Sequence, residues 1–495
     1  MMNTKDAMPE ADAAGRLTAL GLQVPRILLP REGTDLYRWA VIACDQFTQD
    51  RDAWEQIRRA AGTGPSTLGL IYPEAYLAEP DRTERIAAIH RTMRRYLAEE
   101  IFAAAGAVYV ERDTPFAGGR RGLLMALDLE RYDWKAGAAP LIRPTEGTVP
   151  ERLPPRMEIR RNAPLETPHI LVLIDDETDT FLPALGKRAR DPSRNGGKPL
   201  YDTNLMLDSG RVRGWKLDGT DEDYIAAGLE DLARRAASRY GAARKYGDVE
   251  DTADVSGNAM SGAVEAGASP FLFAVGDGNH SLATAKAVWE EYRAAHYGEP
   301  DLMNHPARWA LVEIENLYDP ALTFEPIHRL ILGAGAEAVL RLLEELPGYH
   351  CRRLGSAAGG AADGPAAELA ALVRDESGGR LRLGVAAGPE RFLVEADPVP
   401  LAVDAVEPLL ERLAAKDPGA AGPGVNIDYI HGTEELLRLA AAPSDTPRTG
   451  IVLPPFRKQG LFETVARRGP LPRKSFSMGE AREKRFYLEC RQLFG

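Results

Sequence analysis

The chain has 495 residues, of which 44% are hydrophobic and 27% are charged, and this composition predicts a soluble globular protein of two or three domains. Its formal charge of −12 disfavours general nucleic-acid binding, which requires a basic face. No stretch approaches the roughly eighteen consecutive apolar residues of a transmembrane helix. The acidic, polar N-terminus lacks the features of a signal peptide, so we expect a cytoplasmic protein.

The cysteines indicate neither a disulfide framework nor a structural zinc site. Cys44, Cys351 and Cys490 lie far apart in the chain, and none belongs to a Cys-x-x-Cys pair. Three ordinary thiols in a reducing compartment are the expected reading of this pattern.

Apolar runs alternate with helical patterns, which predicts an α/β fold (α+β is the alternative) of multi-lobed mixed sheets with flanking helices. In the N-terminal lobe, the apolar spacing of residues 80–105 indicates one long amphipathic helix. Composition changes divide the chain into an N-terminal α/β lobe, a central domain, an Ala/Gly-rich α/β lobe and a C-terminal segment that completes the site. Their predicted bounds are 1–135, 136–332, 333–424 and 425–495.

The stretch "FLFAVGDGNHSLATAKAVWEEY", residues 271–292, combines a predicted buried strand, a glycine-bracketed polar turn and a helix. Such a turn lets the backbone approach a ligand, and the start of the helix attracts anions. Asp277 is suited to bind a metal or accept a proton, and His280 to donate to a phosphate oxygen. In the alternative, Asp277 and Asn279 cap the helix and His280 packs, and spacing alone leaves both open.

The loop "LIRPTEGTVPER" brings Arg143, Glu146 and Thr148 close together in sequence. Side chains of this kind could grip a polar substrate, with Glu146 as a general base. The alternative is a solvated loop with a local ion pair.

The segment "LYDPALTFEPIHRL" sets His328 and Arg329 between apolar residues. A buried arginine needs an anionic partner, which could be a carboxylate or a ligand phosphate. The alternative is a surface arginine beside a histidine whose hydrogen bonds are satisfied within the protein.

The segment "LPRKSFSMGEAREKRF" contains a basic-hydroxyl cluster, which includes Lys474 and Ser475 and suits a phosphorylated ligand. A charge run near a terminus is more often a solvated face, and "EAREKRF", residues 480–486, fits that interpretation.

The four segments together resemble the domain of unknown function 1015 family. Its members carry an Arg-His-Glu-Arg-Thr-like loop, then Ala-Asp-Gly-His-His-Arg-Tyr-Glu-Thr-Ala, Asp-Pro-Gly-Leu-x-Ile-x-Pro-Thr-His-Arg and Met-Pro-x-Lys-Ser-Thr. This chain has, in the same order, "RPTEGT" (143–148), "VGDGNHSLATA" (275–285), "DPALTFEPIHR" (319–329) and "LPRKS" (471–475). It departs at Ser281, where the family has arginine, and in "KSFSMGEAREK", which lacks a proline.

The second segment is also similar to the nucleotide-binding motif of the ParB/sulfiredoxin-like superfamily, which includes free-serine kinases. The resemblance implies a strand-turn-helix site for ATP or ADP with Mg²⁺, and Asp277 as the metal ligand. It also implies Glu146, Asp277 and His280 as catalytic groups. The cofactor-binding residues that it implies are Gly276, Gly278, Asn279, Ser281, Arg143, Thr148, His328, Arg329, Lys474 and Ser475.

The leading hypothesis from the sequence is a cytoplasmic nucleotide-dependent phosphotransferase that acts on a small hydroxylated metabolite such as a free amino acid. The alternative is a non-catalytic nucleotide-binding regulatory module. A DNA-binding relative of ParB is disfavoured by the negative charge. The expected partners are a nucleotide and a small-molecule substrate, with no membrane or nucleic acid, and the sequence does not indicate an oligomeric state. The hypothesis expects the four segments to line one cleft.

Overall fold

A computed structural model describes residues 12–48, 50–135, 137–194, 197–240, 271–354, 365–415 and 424–494. The chain forms two compact units. The first unit comprises residues 1–322, 459–471 and 481–495, and the second comprises residues 323–458 and 472–480. The boundary predicted after residue 135 falls inside the first unit, and the observed division after residue 322 precedes the predicted one at 332.

The elements confirm a mixed α/β fold. The α-helices of the described residues are α1 (Ala13–Ala19), α2 (Leu36–Trp39), α3 (Arg51–Ala61), α4 (Arg82–Ala98), α5 (Leu153–Arg160), α6 (Phe181–Ala189), α7 (Gly219–Tyr240), α8 (Asn279–Ala295), α9 (Ala336–Leu343), α10 (Pro365–Arg374), α11 (Ala402–Ala415), α12 (Thr433–Ala441) and α13 (Leu461–Arg468).

The strands are β1 (Leu22–Gln23), β2 (Ile27–Pro30), β3 (Val41–Ile42), β4 (Phe102–Ala105), β5 (Val108–Asp113), β6 (Arg120–Asp128), β7 (Ile142–Pro144), β8 (Leu165–Glu166), β9 (Leu171–Ile174), β10 (Tyr201–Asn204), β11 (Arg211–Lys216), β12 (Phe273–Asp277), β13 (Trp309–Asn316), β14 (Phe324–Leu332), β15 (His350–Arg353), β16 (Leu381–Ala387), β17 (Glu390–Ala396), β18 (Asn426–His431), β19 (Arg448–Val452), β20 (Phe476–Met478), β21 (Phe486–Tyr487) and β22 (Arg491–Gln492).

The first unit is built on a mixed sheet with the strand order β10-β11-β5-β6-β13-β9-β12-β7, and β1 pairs with β6. Most neighbours in this sheet are antiparallel, whereas β12 runs parallel to β7 and β13 runs parallel to β9. The short pairs β2-β4, β3-β21 and β8-β22 add to the same unit.

Both faces of this sheet are covered, because successive side chains of its strands alternate between two cores. Tyr109 and Leu123 belong to the core that includes residues of α6, α7 and α8. Val108 and Leu124 belong to the other core, which includes residues of α3 and α4 and the aromatic side chains of β21. The central strands are therefore buried on both sides, as their continuous apolar runs predict.

The helix predicted for residues 80–105 is shorter in the structure. α4 ends at Ala98, and Glu100 has a φ of 53°, which breaks the helical path. The following residues, Phe102–Ala105, pair with Ile27–Pro30 as β4. Pairing with a distant strand thus decides the structure of an alanine run that local propensity assigns to a helix.

The second unit contains an antiparallel sheet in the order β15-β17-β16-β19-β14-β18, with β20 paired to the start of β14. One of its cores joins Leu330 and Val452 of the sheet to Leu369 of α10 and Leu436 of α12. The range predicted for the Ala/Gly-rich lobe, 333–424, falls within this unit, together with β14.

The charge run at residues 480–486 is not the solvated face that its composition indicates. Glu483, Lys484 and Arg485 are 2%, 7% and 5% exposed. Arg485 is buried between acids, since its Nε donates to Glu313 at 2.6 Å and its Nη2 donates to Glu489 at 2.8 Å. Lys484 and Arg485 are buried beside opposite charges of the first unit, and the carboxylate of Glu483 accepts from the hydroxyl of Thr114.

In the part of the chain that the structure describes, no helix is both long enough and apolar enough to cross a bilayer.

Gly122 on β6 offers a test of the buried ion pair. A Cβ at this position would overlap the carboxylate of Glu313 and push it away from Arg485. We expect Gly122→Ala to lower the free energy of unfolding by roughly 3 kcal/mol, measured from urea unfolding curves. Gly219→Ala is the matched control, because open space surrounds its added methyl group. Similar unfolding midpoints for the two variants would contradict this packing argument.

Candidate functional site

The glycine-bracketed turn joins the buried strand β12 to the helix α8. Gly278 adopts a left-handed backbone with a φ of 76° and precedes the first helical residue. A Cβ there would lie 3.2 Å from the Cα of Ile170, which is closer than real side chains normally approach. Both the backbone angle and the close contact therefore require glycine at position 278.

The first and second motifs meet at this turn. β7 lies beside β12 in parallel, with Pro144 opposite Val275. The Oγ1 of Thr145 donates to the carbonyl of Val275 at 2.6 Å, and its backbone N–H donates to Oδ1 of Asn279 at 3.2 Å. Because Thr145 and Asn279 are both buried, these bonds fix the loop against the start of the helix.

A second anchor follows in the same loop, because the N–H of Val149 donates to Nε2 of His280 at 3.2 Å. Glu146 and Thr148 lie between the two anchors. Glu146 also forms a bridge with Leu471, and the N–H of Gly147 donates to the Leu471 carbonyl at 3.1 Å. The loop that carries Glu146 is therefore held on both sides.

Neither Asp277 nor Asn279 caps α8. Oδ1 of Asp277 accepts from the N–H of Gly278 at 2.9 Å, before the helix begins, and Oδ1 of Asn279 accepts from Thr145. The N-cap of α8 is Gly278, which has no side chain that could accept from the first turn. The start of a helix carries a partial positive charge, which favours an anion.

A lysine from the C-terminal segment approaches the turn. Nζ of Lys484 donates to Oδ2 of Asp277 at 2.8 Å, and the side chains of the two residues are 8% and 25% exposed. Burial opposes ionisation of the carboxyl group, but the ammonium group outweighs it and lowers the pKa of Asp277 below its ordinary value. The carboxyl group of Asp277 is therefore ionised at neutral pH.

His169 lies next to the start of α8. Its Nε2 is 2.7 Å from the hydroxyl of Ser281, and its Nδ1 is 3.0 Å from the hydroxyl of Tyr487. The hydroxyl of Tyr487 also donates to Sγ of Cys44 at 3.1 Å. Burial raises the pKa of the Cys44 thiol far above its ordinary value, so this thiol stays protonated.

A further ion pair of the first unit, Arg156–Glu74, is connected to Cys44. Arg156 binds Glu74 through two hydrogen bonds of 2.8 and 2.6 Å. Burial nevertheless raises the pKa of Glu74. The N–H of Glu74 donates to the carbonyl of Cys44 at 2.8 Å, which connects this pair to the Tyr487 contact.

Arg143 lies beside the strand rather than beside the turn that follows it. Its guanidinium stacks on the ring of Phe271, with 4.7 Å between Cζ and the ring centroid, and its Nε donates to the carbonyl of Pro140 at 3.0 Å. Burial lowers the pKa of Arg143 to about 10. Phe271 precedes β12, so the ligand contact implied for Arg143 stays a prediction.

His328 and Arg329 lie on β14 of the second unit. Nδ1 of His328 accepts from the N–H of Leu453 at 3.2 Å, and burial lowers the pKa of His328 to about 3, so the imidazole is neutral at physiological pH. Nε of Arg329 donates to Glu407 at 2.8 Å. Of the two anionic partners that the sequence left open for Arg329, the structure contains the carboxylate.

Lys474 and Ser475 also belong to the second unit. Lys474 has a φ of 60°, and the hydroxyl of Ser475 donates to the carbonyl of Pro472 at 2.5 Å. The ligand contacts implied for these two residues, and for His328 and Arg329, stay predictions.

The described residues include no group of three or more His, Cys, Asp or Glu side chains that could hold a metal ion. Asp277 offers one carboxylate, and Mg²⁺ at nucleotide sites commonly takes one or two carboxylates together with phosphate oxygens and waters. A bound Mg²⁺ would share Asp277 with Lys484. The metal role of Asp277 stays a prediction.

Three side chains beside the turn were not singled out from the sequence: His169, Lys484 and Tyr487. His169 stands directly before the apolar run "ILVLI". A polar residue at the end of an apolar run, as in the glycine turn, is the signal that could have identified it. The pattern of the charged run around Lys484 suits an exposed face as well as it suits a buried ion pair.

The Asp277–Lys484 pair yields a test that depends on pH. We expect Lys484→Met to lower the free energy of unfolding by about 3 kcal/mol at neutral pH, because it leaves a largely buried carboxylate without its cation. Since the folded-state pKa of Asp277 is lowered, the pair stabilises the wild type above pH of about 4 and loses this effect as the pH falls through the lowered pKa. The difference between wild type and variant should shrink accordingly in urea unfolding at acidic pH.

The exposed Lys216 provides the control, and Lys216→Met should change stability little at any pH. A loss in Lys484→Met that stays constant down to acidic pH would argue against the ion pair as its cause.

Comparisons with known proteins give the family of the chain. None of the curated proteins matches it. A solved structure of a mutant free serine kinase in complex with AMP is similar at 15% sequence identity, covering 45% of this chain and 72% of that chain, with a TM-score of 0.26. That score is too low to support any argument about this chain. Residues 28–379 match the family described as "Protein of unknown function (DUF1015)", and they include the first three motifs. Since this match covers more than half of the sequence, the chain belongs to the DUF1015 family.

Proposed function

We propose that this protein is a cytoplasmic nucleotide-dependent phosphotransferase that acts on a small hydroxylated metabolite such as a free amino acid. The observation that carries the proposal is the start of α8, whose N-cap is Gly278, a residue without a side chain. It follows a glycine turn pressed against Ile170, and the Asp277–Lys484 pair stands beside it. Backbone N–H groups, a helix start and a lysine are the groups that commonly bind phosphates in proteins.

The first motif supports a catalytic use of this anion site. Two backbone anchors, at Thr145 and Val149, hold the loop against the start of α8. Glu146 lies between them, and the proposal assigns it the proton of the acceptor hydroxyl. Gly276, Gly278 and Asn279 would contribute the phosphate-facing backbone. When bound at Asp277, Mg²⁺ would neutralise phosphate charge.

The alternative is a non-catalytic nucleotide-binding regulatory module. The observation that favours it concerns position 281, where the related motif has an arginine that contacts phosphates. Here Ser281 bonds to His169 instead, so one cation is missing from the turn. Turnover separates the two functions, whereas both require nucleotide binding.

Nucleotide binding is expected to depend on Gly278. ATP, ADP, CTP and pyrophosphate, each with and without Mg²⁺, should include at least one ligand that raises the melting temperature of the wild type. Gly278→Ala should lose this shift, because a methyl group would meet Ile170 and strain the left-handed backbone. Gly298→Ala carries comparable backbone strain with a φ of 90° but has open space around it, so it should keep the shift. Failure of all four ligands to shift the wild type would rule out both nucleotide functions.

Phosphoryl transfer is expected to depend on Glu146. Incubation with the nucleotide that binds and with serine should yield phosphoserine, detected by phosphorus NMR. Glu146→Gln should slow its formation at least about a hundredfold, because it removes the general base. Glu151→Gln changes an exposed glutamate nearby and should retain activity. Binding without turnover of serine or other small hydroxylated compounds would support the regulatory module instead.

A further inference from the structure

Ser281 and His169 form a hydroxyl–imidazole pair beside the proposed phosphate site. Oγ of Ser281 and Nε2 of His169 are 2.7 Å apart. Both residues are half-buried, so a small reagent in solvent can reach them. A hydroxyl within hydrogen-bond distance of an imidazole is the arrangement in which serine becomes a nucleophile, provided that the facing nitrogen carries a lone pair.

The contacts of Tyr487 bear on which ring nitrogen of His169 carries the lone pair. Its hydroxyl oxygen accepts from the N–H of Cys44 at 3.1 Å and donates its single proton to Sγ of Cys44 at 3.1 Å. With the hydroxyl of Tyr487 donating to Cys44, Nδ1 of His169, which is 3.0 Å from the same oxygen, is the donor in their contact. In this arrangement the proton is on Nδ1 and the lone pair of Nε2 faces Ser281.

The surroundings also hold the imidazole in place. The rings of His169 and Tyr487 meet edge to face, at 87° and 5.6 Å between centroids. The carboxyl groups of Asp277 and Glu74 both interact electrostatically with His169. Tyr487 is therefore the group that orients the base, the third member of a nucleophile–base–orienter set.

We propose that Ser281 is a nucleophile toward phosphorus and that His169 is its general base. The role of this pair in phosphoryl transfer rests on the proposed function. The phosphoryl group is transferred first from ATP to Ser281 and then from Ser281 to the acceptor hydroxyl. Oγ of Ser281 attacks the γ-phosphorus of ATP, the Oγ–P bond forms, and the P–O bond to ADP breaks with its electron pair leaving on ADP. The proton of Ser281 moves to Nε2 of His169.

The return step restores both residues. The acceptor hydroxyl oxygen attacks the phosphorus, and its proton passes to Glu146 and then to solvent. The Oγ–P bond of Ser281 breaks, and Oγ takes back the proton from His169. The sum of both steps converts ATP and the hydroxyl compound to ADP, the phosphate ester and one proton. The helix start beside Ser281 offers its N–H groups to the charge that develops.

A fluorophosphonate probe tests the nucleophile without any nucleotide. Attack by Oγ forms an O–P bond, breaks the P–F bond to release fluoride, and passes the proton to His169. We expect peptide mass mapping of the full-length protein to find the label on Ser281. Ser281→Ala should take up no label, and His169→Gln, with an unchanged circular dichroism spectrum, should label roughly a hundredfold more slowly. Ser193→Ala is the matched control, since its hydroxyl bonds to Asp191 rather than to a histidine, and it should label like the wild type.

His169→Asn provides a second variant if His169→Gln fails to fold. An unlabelled Ser281 in the folded wild type, or equal labelling rates in wild type and in a folded His169 variant, would overturn the nucleophile–base pair.

Incubation with ATP and Mg²⁺, followed by intact-mass analysis, separates this inference from the proposed function. A phosphoryl group on Ser281 that is lost when the acceptor is added supports both. Phosphotransfer that continues in Ser281→Ala overturns the covalent route and leaves the proposed function standing. Labelling of Ser281 by the fluorophosphonate in a protein that binds no nucleotide supports the pair and removes the proposed function.

Discussion

The arrangement of the residues around the glycine turn depends on a buried cation, the guanidinium of Arg485. It donates to Glu313 on the central strand β13, to Glu489 four residues later and to the carbonyl of Pro168. A buried charge of this kind is stable only while its partners remain in place. Since Lys484 precedes Arg485 and His169 follows Pro168, the same contacts that satisfy the cation bring Lys484 and His169 to the glycine turn.

The position of the site follows from strand direction. β7 and β12 run parallel, so their carboxyl ends lie side by side, and the Glu146 loop and the glycine turn leave the sheet there. In open α/β sheets, ligands bind at the carboxyl ends of the strands. Thr145 and Asn279 then join the two segments through side-chain and backbone bonds that bridge 134 positions of sequence. The sheet therefore brings the glycine turn and the loop that carries Glu146 together from separate parts of the chain.

The local sequence pattern predicted the strand, the turn and the helix of the candidate site better than it predicted the distant residues that bond to them. The buried strand, the glycine turn and the following helix all occur where periodicity and turn chemistry placed them. The alternative in which Asp277 and Asn279 cap the helix fails because both side chains bond elsewhere. The burial of Lys484 was not predicted, because a charged run is expected to be exposed unless its partner is known. Its partner, Asp277, lies 207 residues away in the sequence. The domain bounds and the ligand roles of the second-unit residues were inferred from composition and resemblance, which do not report contacts.

The hydrogen bonds of the C-terminal segment have a consequence for biosynthesis. The indole of Trp39 donates to the carbonyl of Leu488 across 449 residues, and Cys44 reaches Tyr487 across 443. Closing loops of this length is entropically costly and slows folding. A nascent chain that stops short of residue 481 contains the glycine turn and Ser281 but neither Lys484 nor the tyrosine that orients His169. The contacts of Lys484 with Asp277 and of Tyr487 with His169 therefore form only after translation has passed residue 487, and shorter translation products lack them.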